Sequence, residues 1–278
     1  MKGIVIKKNS NVFTIIKDDV FFDIPASGKT KKDGIFVGDN VEFDEVITKV
    51  EKRKNLLIRP PLANLNKIFI VISVSPKPDF VLVDKILIYC FLNAIQPVLV
   101  INKTDIKNEN FIEQVEKDYS SFLQIIKVSA KDKIVDEIKN NVDGICALAG
   151  QSAVGKSSII NSLFGDNVAQ IGNLSKRIER GKQTTRVVQL YKLGNGYLAD
   201  TAGFSKLDLS MISNLKKEEL ALYYPDFLKA RSKCKYRSCL HEAGECGIIS
   251  YVKQGKISKR RYENYLKILN ELRNSEKY

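Results

Sequence analysis

The order of four short motifs constrains the fold of this chain more than any other feature of its sequence. Each motif follows an apolar segment of strand length: Asn102–Asp105, Ser129–Lys131, Gly150–Ser157 and Asp200–Gly203. The third has the phosphate-loop pattern G-x-x-x-x-G-K-S. In an ordinary P-loop domain this loop comes first, and the motifs that contact the base come last. Here the back half precedes the front half, which predicts a circularly permuted domain.

The segment Gly150–Ser157 lies between an apolar strand pattern and a helical pattern, as a phosphate loop requires. Its glycines permit a tight turn whose backbone N–H groups face phosphates, beside the positive end of a helix. Lys156 is expected to reach the β- and γ-phosphates, and the Ser157 hydroxyl to bind Mg²⁺. A chance glycine-rich turn is the alternative, but it leaves the flanking strand and helix unexplained. By itself the loop indicates only an NTPase or a nucleotide kinase.

Two further motifs predict that the base is guanine. The Asp105 carboxylate can accept from the ring N–H and the exocyclic N–H₂ of guanine, a pair that adenine lacks. Lys103 is expected to pack along the base, and Asn102 to tie this loop to the phosphate loop. The Ala130 N–H is suited to donate to the guanine carbonyl. GTP is therefore predicted over ATP, although Ser129 and Ala130 alone could form a plain strand-end turn.

The segment Asp200–Gly203 fits a switch that responds to the γ-phosphate. Asp200 would hold Mg²⁺ through water, and the Gly203 N–H would contact the γ-phosphate. Either Thr184 or Thr185 would complete the magnesium shell, and the sequence leaves both open.

The water-orienting group is the least defined part of the predicted site. Phe204 stands where Ras-type enzymes carry a glutamine, which predicts slow hydrolysis unless switch I or a partner supplies the missing group. Gln183 is the local candidate, or else an exposed polar residue without a role. The catalytic candidates are Lys156, Ser157, Gln183, Thr184, Thr185 and Asp200. The GTP-binding candidates are Asn102, Lys103, Thr104, Asp105, Ser129, Ala130, Lys131, Gly150, Gln151, Ser152, Ala153, Val154, Gly155, Lys156, Ser157, Ser158, Asp200 and Gly203.

Three cysteines and the only histidine of the chain lie within thirteen residues: Cys234, Cys239, His241 and Cys246. Three thiolates and one imidazole suit a closed tetrahedral Zn²⁺ site, so one structural zinc ion is predicted. Coincidental cysteines in a reduced protein are the alternative. Cys90 and Cys146 stand alone in apolar segments and are expected to be small core residues.

The excess of positive charge indicates a polyanionic partner. The net charge is +13, and much of it lies in residues 173–186 and 253–278. Two basic segments beside a nucleotide site favour RNA, although ordinary solvated lysines and arginines could give the same counts. We found neither an apolar run long enough for a membrane span nor a signal-peptide pattern, and a cytoplasmic protein without a membrane partner is expected.

Hydrophobic patterning predicts a multidomain chain. Residues 1–57 read as short strands, including Ile35–Val37 and Val41–Val46, which favours a small β-barrel such as an OB-fold over a generic β appendage. Residues 58–206 alternate strand and helix, as in a doubly wound, mostly parallel α/β sheet. Residues 207–278 read as a mostly helical zinc-binding domain, with helices predicted at Leu215–Leu222 and Ser258–Arg273.

These motifs in this order resemble the circularly permuted GTPases that act on the small ribosomal subunit, the RsgA (YjeQ, EngC) family. Further segments carry the resemblance outside the four motifs and the cysteine cluster: Val37–Val41, Arg59–Pro60, Ala63–Asn64, Pro78–Phe80 and Gly255–Ser258. The resemblance implies an OB-fold, a permuted GTPase domain and a C-terminal zinc domain. It also implies GTP hydrolysis stimulated by the 30S subunit during late maturation, with rRNA as partner. We expect a monomer.

The chain departs from the family pattern at two places. A histidine usually stands at the position of Gln183, which leaves the hydrolytic role open. The spacing from His241 to Cys246 is one residue shorter than expected, which should tighten the zinc loop without removing a ligand. Two other functions compete: an RNA-binding protein that uses GTP only as an assembly ligand, and a GTPase of membrane traffic. Single-turnover hydrolysis on ribosomes and co-sedimentation with liposomes would distinguish them.

Overall fold

The computed structural model describes residues 1–28, 30, 34–58, 60–165, 188–200 and 215–275, with only the backbone of Asp200 and Ser275. Contacts divide the chain into two compact units. Unit one comprises Met1–Phe69, Ala130–Ala149 and Gly155–Ser205, and unit two comprises Ile70–Ser129, Gly150–Val154 and Lys206–Tyr278. The domain boundaries expected at residues 57 and 206 stay a prediction.

The strands and the helices of the described residues are given separately, each set in chain order. The strands are β1 Lys2–Asn9, β2 Val12–Lys17, β3 Val20–Pro25, β4 Asn40–Phe43, β5 Ile47–Val50, β6 Leu56–Ile58, β7 Pro61–Ala63, β8 Leu65–Ser73, β9 Gln96–Asn102, β10 Gln124–Lys127, β11 Asp143–Ala149, β12 Gln189–Leu193 and β13 Asn195–Asp200. The α-helices are α1 Phe80–Leu92, α2 Glu109–Tyr119, α3 Asp136–Asn140, α4 Lys156–Phe164, α5 Leu228–Arg231, α6 Gly247–Lys253 and α7 Lys259–Ser275. Two 3₁₀ turns cover Leu220–Tyr223 and Pro225–Phe227.

The first five strands of unit one form a closed barrel. Strand β1 pairs antiparallel with β2 and β4, β2 pairs with β3, and β4 pairs with β5. Ala26, directly after β3, bridges to Ile47 of β5, which closes the ring in the order β1-β2-β3-β5-β4. Apolar side chains from alternate positions fill the interior, among them Val5, Ile15 and Phe43. The predicted OB-type barrel is confirmed.

Two details of the predicted barrel are wrong. Within Ile35–Val37 only Val37 forms an isolated bridge, because the Asp39 carboxylate accepts from the Phe36 N–H at 2.8 Å and so removes a ladder donor. The predicted strand Val41–Val46 ends at Phe43, and β5 begins only at Ile47 after a bend. Strand β1, which the sequence patterns did not predict, lies at the centre of the pairing.

A longer sheet runs through the rest of unit one. Its strand order is β8-β11-β13-β12-β1-β2-β3, in which β11 and β13 are parallel and β12 is antiparallel to β13. Because β11 and β13 are parallel and adjacent, their carboxyl ends lie at the same edge of the sheet. Ala149, which leads into the phosphate loop, and the backbone of Asp200 therefore emerge side by side.

Unit two combines part of the α/β sheet with the C-terminal helices. Its strands lie in the order β10-β9-β8, with β9 and β10 parallel. Helix α1 begins after Asp79, whose carboxylate accepts from the N–H groups of Val81 and Leu82. Helix α7 packs against α1. The predicted helix Leu215–Leu222 is wrong: Pro225 forces Tyr224 into extended backbone, and only the 3₁₀ turns form.

The described residues include the seven α-helices given above. Within these residues, no helix has the length and apolar character needed to cross a bilayer.

Candidate functional site

The segment Asn102–Asp105, predicted to contact the base, lies where β9 ends, in unit two. Asn102 is the last residue of β9, is buried, and donates from Nδ2 to the Val154 carbonyl at 2.9 Å. Lys103 has left-handed backbone, and its Nζ donates to the carbonyls of Ser75 at 2.7 Å and Ala153 at 2.9 Å. These bonds join Asn102–Asp105, the base-reading loop, to the phosphate loop.

The loop continues into an ordered pair of polar side chains. The Thr104 N–H and hydroxyl both donate to the Val128 carbonyl, at 3.2 and 3.0 Å. The Ser129 hydroxyl donates to Asp105 Oδ1 at 3.1 Å and so fixes the orientation of the carboxylate. Ala130 and Lys131 follow in unit one, where the Lys133 N–H donates to the Ala130 carbonyl at 3.4 Å.

The first half of the phosphate loop, Gly150–Val154, belongs to unit two. Gly150 has φ 132°, and a Cβ atom there would lie 2.2 Å from the Val71 carbonyl oxygen, so the loop leaves β11 along a path open only to glycine. Gln151 accepts from the Asp79 N–H through Oε1 at 2.6 Å and donates from Nε2 to the Lys77 carbonyl at 3.0 Å. Ser152 and Ala153 are exposed.

The second half of the loop runs into α4 in unit one. Gly155 precedes the helix with left-handed backbone, φ 94°, and the first turn contains no acidic residue. Ser157 and Ser158 are exposed on that turn. Burial lowers the pKa of Lys156 to about 8. An exposed helix start beside a partly desolvated lysine suits a phosphate group, which would restore the ammonium form.

The three predicted cysteine ligands and the predicted histidine meet in unit two. Their ligand atoms, from Cys234, Cys239, His241 and Cys246, all lie within 4.8 Å of one another. His241 Nδ1 lies 3.5 Å from Cys234 Sγ and 3.4 Å from Cys246 Sγ, and the two sulfur atoms are 3.8 Å apart. His241 is 1% exposed.

This arrangement fits zinc. Tetrahedral bonds of about 2.3 Å to sulfur and about 2.1 Å to nitrogen place neighbouring ligand atoms about 3.6–3.8 Å apart. The separations of 3.4–3.8 Å among Cys234, His241 and Cys246 match that spacing, with Nδ1 as the imidazole ligand, and the Cys239 sulfur lies within 4.8 Å of the other three ligand atoms. Burial lowers the pKa of His241 to about 4, so its ring is neutral near pH 7, as a metal ligand must be. The shorter spacing from His241 to Cys246 keeps all four donors in place.

Comparison with known proteins covers nearly the whole chain. The model of the RsgA GTPase family matches residues 50–210. A protein of Geobacillus sp. (strain WCH70), named small ribosomal subunit biogenesis GTPase RsgA, is 36% identical over 98% of this chain and 97% of its own. The chain belongs to the RsgA GTPase family. It is therefore a hydrolase that acts on GTP.

Solved structures give the same result. The crystal structure of YjeQ from Thermotoga maritima covers 98% of both chains with a TM-score of 0.79 and 34% identity. The structure of YloQ, described as a circularly permuted GTPase, covers 98% of this chain and 95% of its own with a TM-score of 0.80 and 27% identity. The circular permutation predicted from motif order is thereby confirmed.

Several predicted site residues lie outside the described residues. These are Gln183, Thr184, Thr185 and Gly203, together with the whole of the basic segment 173–186. Only the backbone of Asp200 is described, as the last residue of β13. Their predicted roles stay predictions.

Sequence patterns did not reveal the backbone groups that bond to the base-reading loop and the phosphate loop. Ser75 and Lys77 offer backbone carbonyls to Lys103 and Gln151, and Asp79 offers its N–H to Gln151. The only sequence signal was Asp79 itself, a good helix N-cap before an apolar run. Backbone acceptors leave no mark in the sequence, so the other contacts could be found only in the fold.

Sequence reasoning also missed a buried ionic network between α1 and α7. Arg261, 1% exposed, pairs with Asp84, which is 0% exposed, and with Asp226 at 2.9 Å. Asp84 also accepts from the Tyr119 hydroxyl at 3.1 Å and from Asn264 Nδ2 at 3.0 Å. Burial raises the pKa of Asp84, and Arg261 works against that rise. The pattern had suggested that this arginine was one of the charges available to RNA.

Helix α7 also supports the cysteine loop, residues 232–246. One side of the helix carries three contacts to three consecutive loop residues. Tyr262 donates to the His241 carbonyl at 2.8 Å, Tyr265 donates to the Leu240 carbonyl at 3.1 Å, and Arg273 pairs with Glu242 at 2.7 Å. The helix thus fixes the backbone on both sides of the histidine ligand.

Proposed function

We propose that this protein hydrolyses GTP under stimulation by the small (30S) ribosomal subunit and acts late in maturation of that subunit. The likeness to relatives of almost equal length carries the proposal: proteins of Geobacillus sp. (strain WCH70) and Clostridium botulinum, both named small ribosomal subunit biogenesis GTPase RsgA, are 36% identical to it. The basic composition, with a net charge of +13, supports an RNA-rich partner.

The proposed roles follow the chemistry of each residue. Asp105, oriented by Ser129, accepts from the guanine edge. The backbone N–H groups of the phosphate loop and the Lys156 ammonium bind the phosphates. Ser157, with Thr184 or Thr185, would hold Mg²⁺, which neutralises phosphate charge when bound.

Hydrolysis by the isolated protein is expected to be slow. The position after Asp200–Gly203 holds Phe204, which cannot orient a water molecule. We propose that Gln183 does so once the ribosomal subunit positions it. The isolated protein then lacks an ordered nucleophile, and subunit binding supplies the missing order.

The deciding experiment is GTP hydrolysis with and without purified small subunits. We expect stimulation of at least about tenfold for the parent protein, strong loss in Lys156→Ala, and loss of stimulation in Gln183→Ala with partial recovery in Gln183→His. Unchanged turnover in the presence of subunits would contradict the proposal. Bound GTP that persists on the subunit through a single-turnover assay would instead indicate an RNA-binding protein that uses GTP for assembly.

Nucleotide binding should take up protons near pH 8. With its pKa at about 8, Lys156 is about half neutral at that pH in the free protein. The phosphates favour the ammonium form, so binding should take up about half a proton at pH 8, and affinity should fall as the pH rises further. Calorimetry in buffers of different ionisation enthalpy measures this uptake. The Lys156→Gln variant should lose it, and an equal uptake in both proteins would exclude Lys156 as its source.

We also propose one structural Zn²⁺ held by Cys234, Cys239, His241 and Cys246. Four protein ligands leave no open position, so the ion would stabilise the cysteine loop and take no part in hydrolysis. The single His241 is occupied in this way and cannot act as a base.

Metal analysis of cysteine variants tests this proposal. We expect one zinc per chain in the parent protein, in Cys90→Ala and in Cys146→Ala, because both cysteines are buried and neither belongs to the ligand group. Alanine at any of the three ligand cysteines should remove the zinc and lower the thermal unfolding temperature. Full zinc content in the Cys246→Ala variant would rule out this ligand set.

A further inference from the structure

The basic residues of unit two differ in whether a carboxylate neutralises them. In α7, Arg260 pairs with Asp118, Arg261 with Asp84 and Asp226, and Arg273 with Glu242. The arginines of segment 253–278, which the sequence predicted to contact RNA, therefore form ion pairs within the protein. Internal pairing removes most of their attraction for an external anion.

A second basic run has no such partners among the described residues. Over residues 229–237 a Lys or Arg stands at every second position, and no acidic residue intervenes: Lys229, Arg231, Lys233, Lys235 and Arg237. Within the described part of the chain, none of these five forms a salt bridge at 4.0 Å or less. Arg231 instead donates from Nη2 to the Arg237 carbonyl at 3.2 Å, which shapes the loop. The other four are exposed.

An aromatic side chain lies in the middle of this run. Tyr236 is 64% exposed, and Lys235 Nζ lies 5.4 Å from the centre of its ring. A large aromatic ring this exposed gains little from the fold, whereas a ring next to cations suits a nucleobase, which stacks on the ring while its phosphates meet the cations. We call Lys229, Lys233, Lys235, Tyr236 and Arg237 the basic face.

The cysteine cluster holds the basic face in shape. Cys234 and Cys239 bracket Lys235–Ser238, and their thiols converge on the cluster. The Cys239 N–H donates to the Tyr236 carbonyl at 3.2 Å, which closes a tight turn. Of the two acidic residues in the loop, Glu242 is neutralised by Arg273, and Glu245 is exposed. Preorganised side chains lose less freedom on binding than free ones.

We propose that the basic face binds single-stranded RNA, with an unpaired base stacked on Tyr236 and phosphates held by Lys233, Lys235 and Arg237. The inference rests on the proposed function for its ribosomal context, because rRNA supplies unpaired loops. An exposed ring can stack only on a base that is free of its own helix, which favours single strands over duplex. The zinc-binding loop is thereby an RNA-contacting element as well as a structural one.

The test measures binding of a fluorescent single-stranded RNA and of a duplex of the same length to the full, zinc-loaded chain. We expect the single strand to bind more tightly. Tyr236→Ala should weaken single-strand binding about tenfold, while Tyr236→Phe keeps it. The triple variant Lys233→Gln, Lys235→Gln, Arg237→Gln should reduce the slope of log affinity against log salt by about 2. The matched triple Lys253→Gln, Lys256→Gln, Lys267→Gln removes three exposed charges elsewhere and should change that slope less.

Tryptophan fluorescence measures the stacking directly. The chain contains no tryptophan, so Tyr236→Trp introduces a single indole whose emission single-stranded RNA should quench. Equal affinities of the parent and Tyr236→Ala, equal binding of duplex and single strand, or unquenched emission would each overturn the proposal.

Hydrolysis separates this inference from the proposed function. All basic-face variants should keep the GTP turnover measured without subunits. If the parent is stimulated by subunits and the Tyr236→Ala and triple variants are stimulated equally, the basic face is wrong and the function stands. If the parent is not stimulated, the proposed function fails, while RNA binding by the basic face is still decided by the binding measurements.

Discussion

Replacing Arg261 by methionine should destabilise unit two by about 3–5 kcal/mol, the usual cost of removing one partner from a buried ion pair. The substitution keeps most of the side-chain volume but leaves Asp84 and Asp226 without their cation. Asp84 is 0% exposed, so water cannot replace the lost pairing. Urea unfolding followed by circular dichroism measures the loss, as a lower midpoint at unchanged slope.

Two controls separate the charge from the packing. Arg260→Met changes the neighbouring arginine, whose side chain is 28% exposed where it pairs with the buried Asp118, so water can reach the pair. The cost should be smaller than for Arg261→Met, about 1–3 kcal/mol. Adding Asp84→Asn to Arg261→Met removes the unpaired carboxylate and should recover part of the stability. Equal effects of Arg260→Met and Arg261→Met would show that burial of the network contributes nothing.

The pH dependence of the Arg261→Met variant follows from the same argument. Without the guanidinium, burial raises the pKa of Asp84 further above its value in the unfolded chain. A carboxyl group whose folded pKa is raised stabilises the fold at low pH, and that stability is lost as the pH rises. The variant should therefore be less destabilised at acidic than at neutral pH.

Replacing Asp105 by asparagine should convert the base preference from guanine to xanthine. The asparagine carbonyl oxygen can still accept from the ring N–H, but its N–H₂ group meets the exocyclic N–H₂ of guanine, so one charge-assisted hydrogen bond is lost and the other loses its charge. Each such bond contributes about 1.5–3 kcal/mol, so GTP affinity should fall at least about a hundredfold. Xanthine has a carbonyl oxygen at the same position and can accept from the new amide. Competition between GTP and XTP against a fluorescent nucleotide gives both affinities.

Ser129→Ala is the matched control for this substitution. It removes the 3.1 Å hydrogen bond that orients Asp105 but keeps the carboxylate itself. GTP affinity should fall by about tenfold or less, and XTP affinity should not rise. If Asp105→Asn kept tight GTP binding and gained none for XTP, Asp105 would not be the residue that recognises the base.

The base-reading loop and the C-terminal helices belong to the same compact unit, and this gives both predictions a common basis. Gln151 of the phosphate loop bonds to Lys77 and Asp79 at the start of α1, and Asp84 of α1 bonds to Arg261 of α7. Loosening the Arg261 network should therefore lower nucleotide affinity as well as stability. The change in GTP affinity of Arg261→Met, compared with Arg260→Met, measures that connection.

The sequence alone determined the parts of the protein that depend on contiguous residues. The phosphate loop, the Asn102–Asp105 loop and the cysteine loop are each encoded within a few positions. Their order along the chain was enough to predict a permuted GTPase with a C-terminal metal site. The local backbone requirements, such as a glycine at position 150, are visible as residue types.

Only the tertiary structure decided which charges are neutralised within the fold. Arg261 and Asp84 are 177 positions apart, and Arg260 and Asp118 are 142 apart, so no local pattern joins them. The basic C-terminal segment was predicted to meet RNA as a whole, yet its arginines pair with carboxylates inside unit two. The basic run at residues 229–237, which no sequence motif marks, has no such partner among the described residues. Ion pairing depends on which helices pack together, and packing is a property of the whole fold.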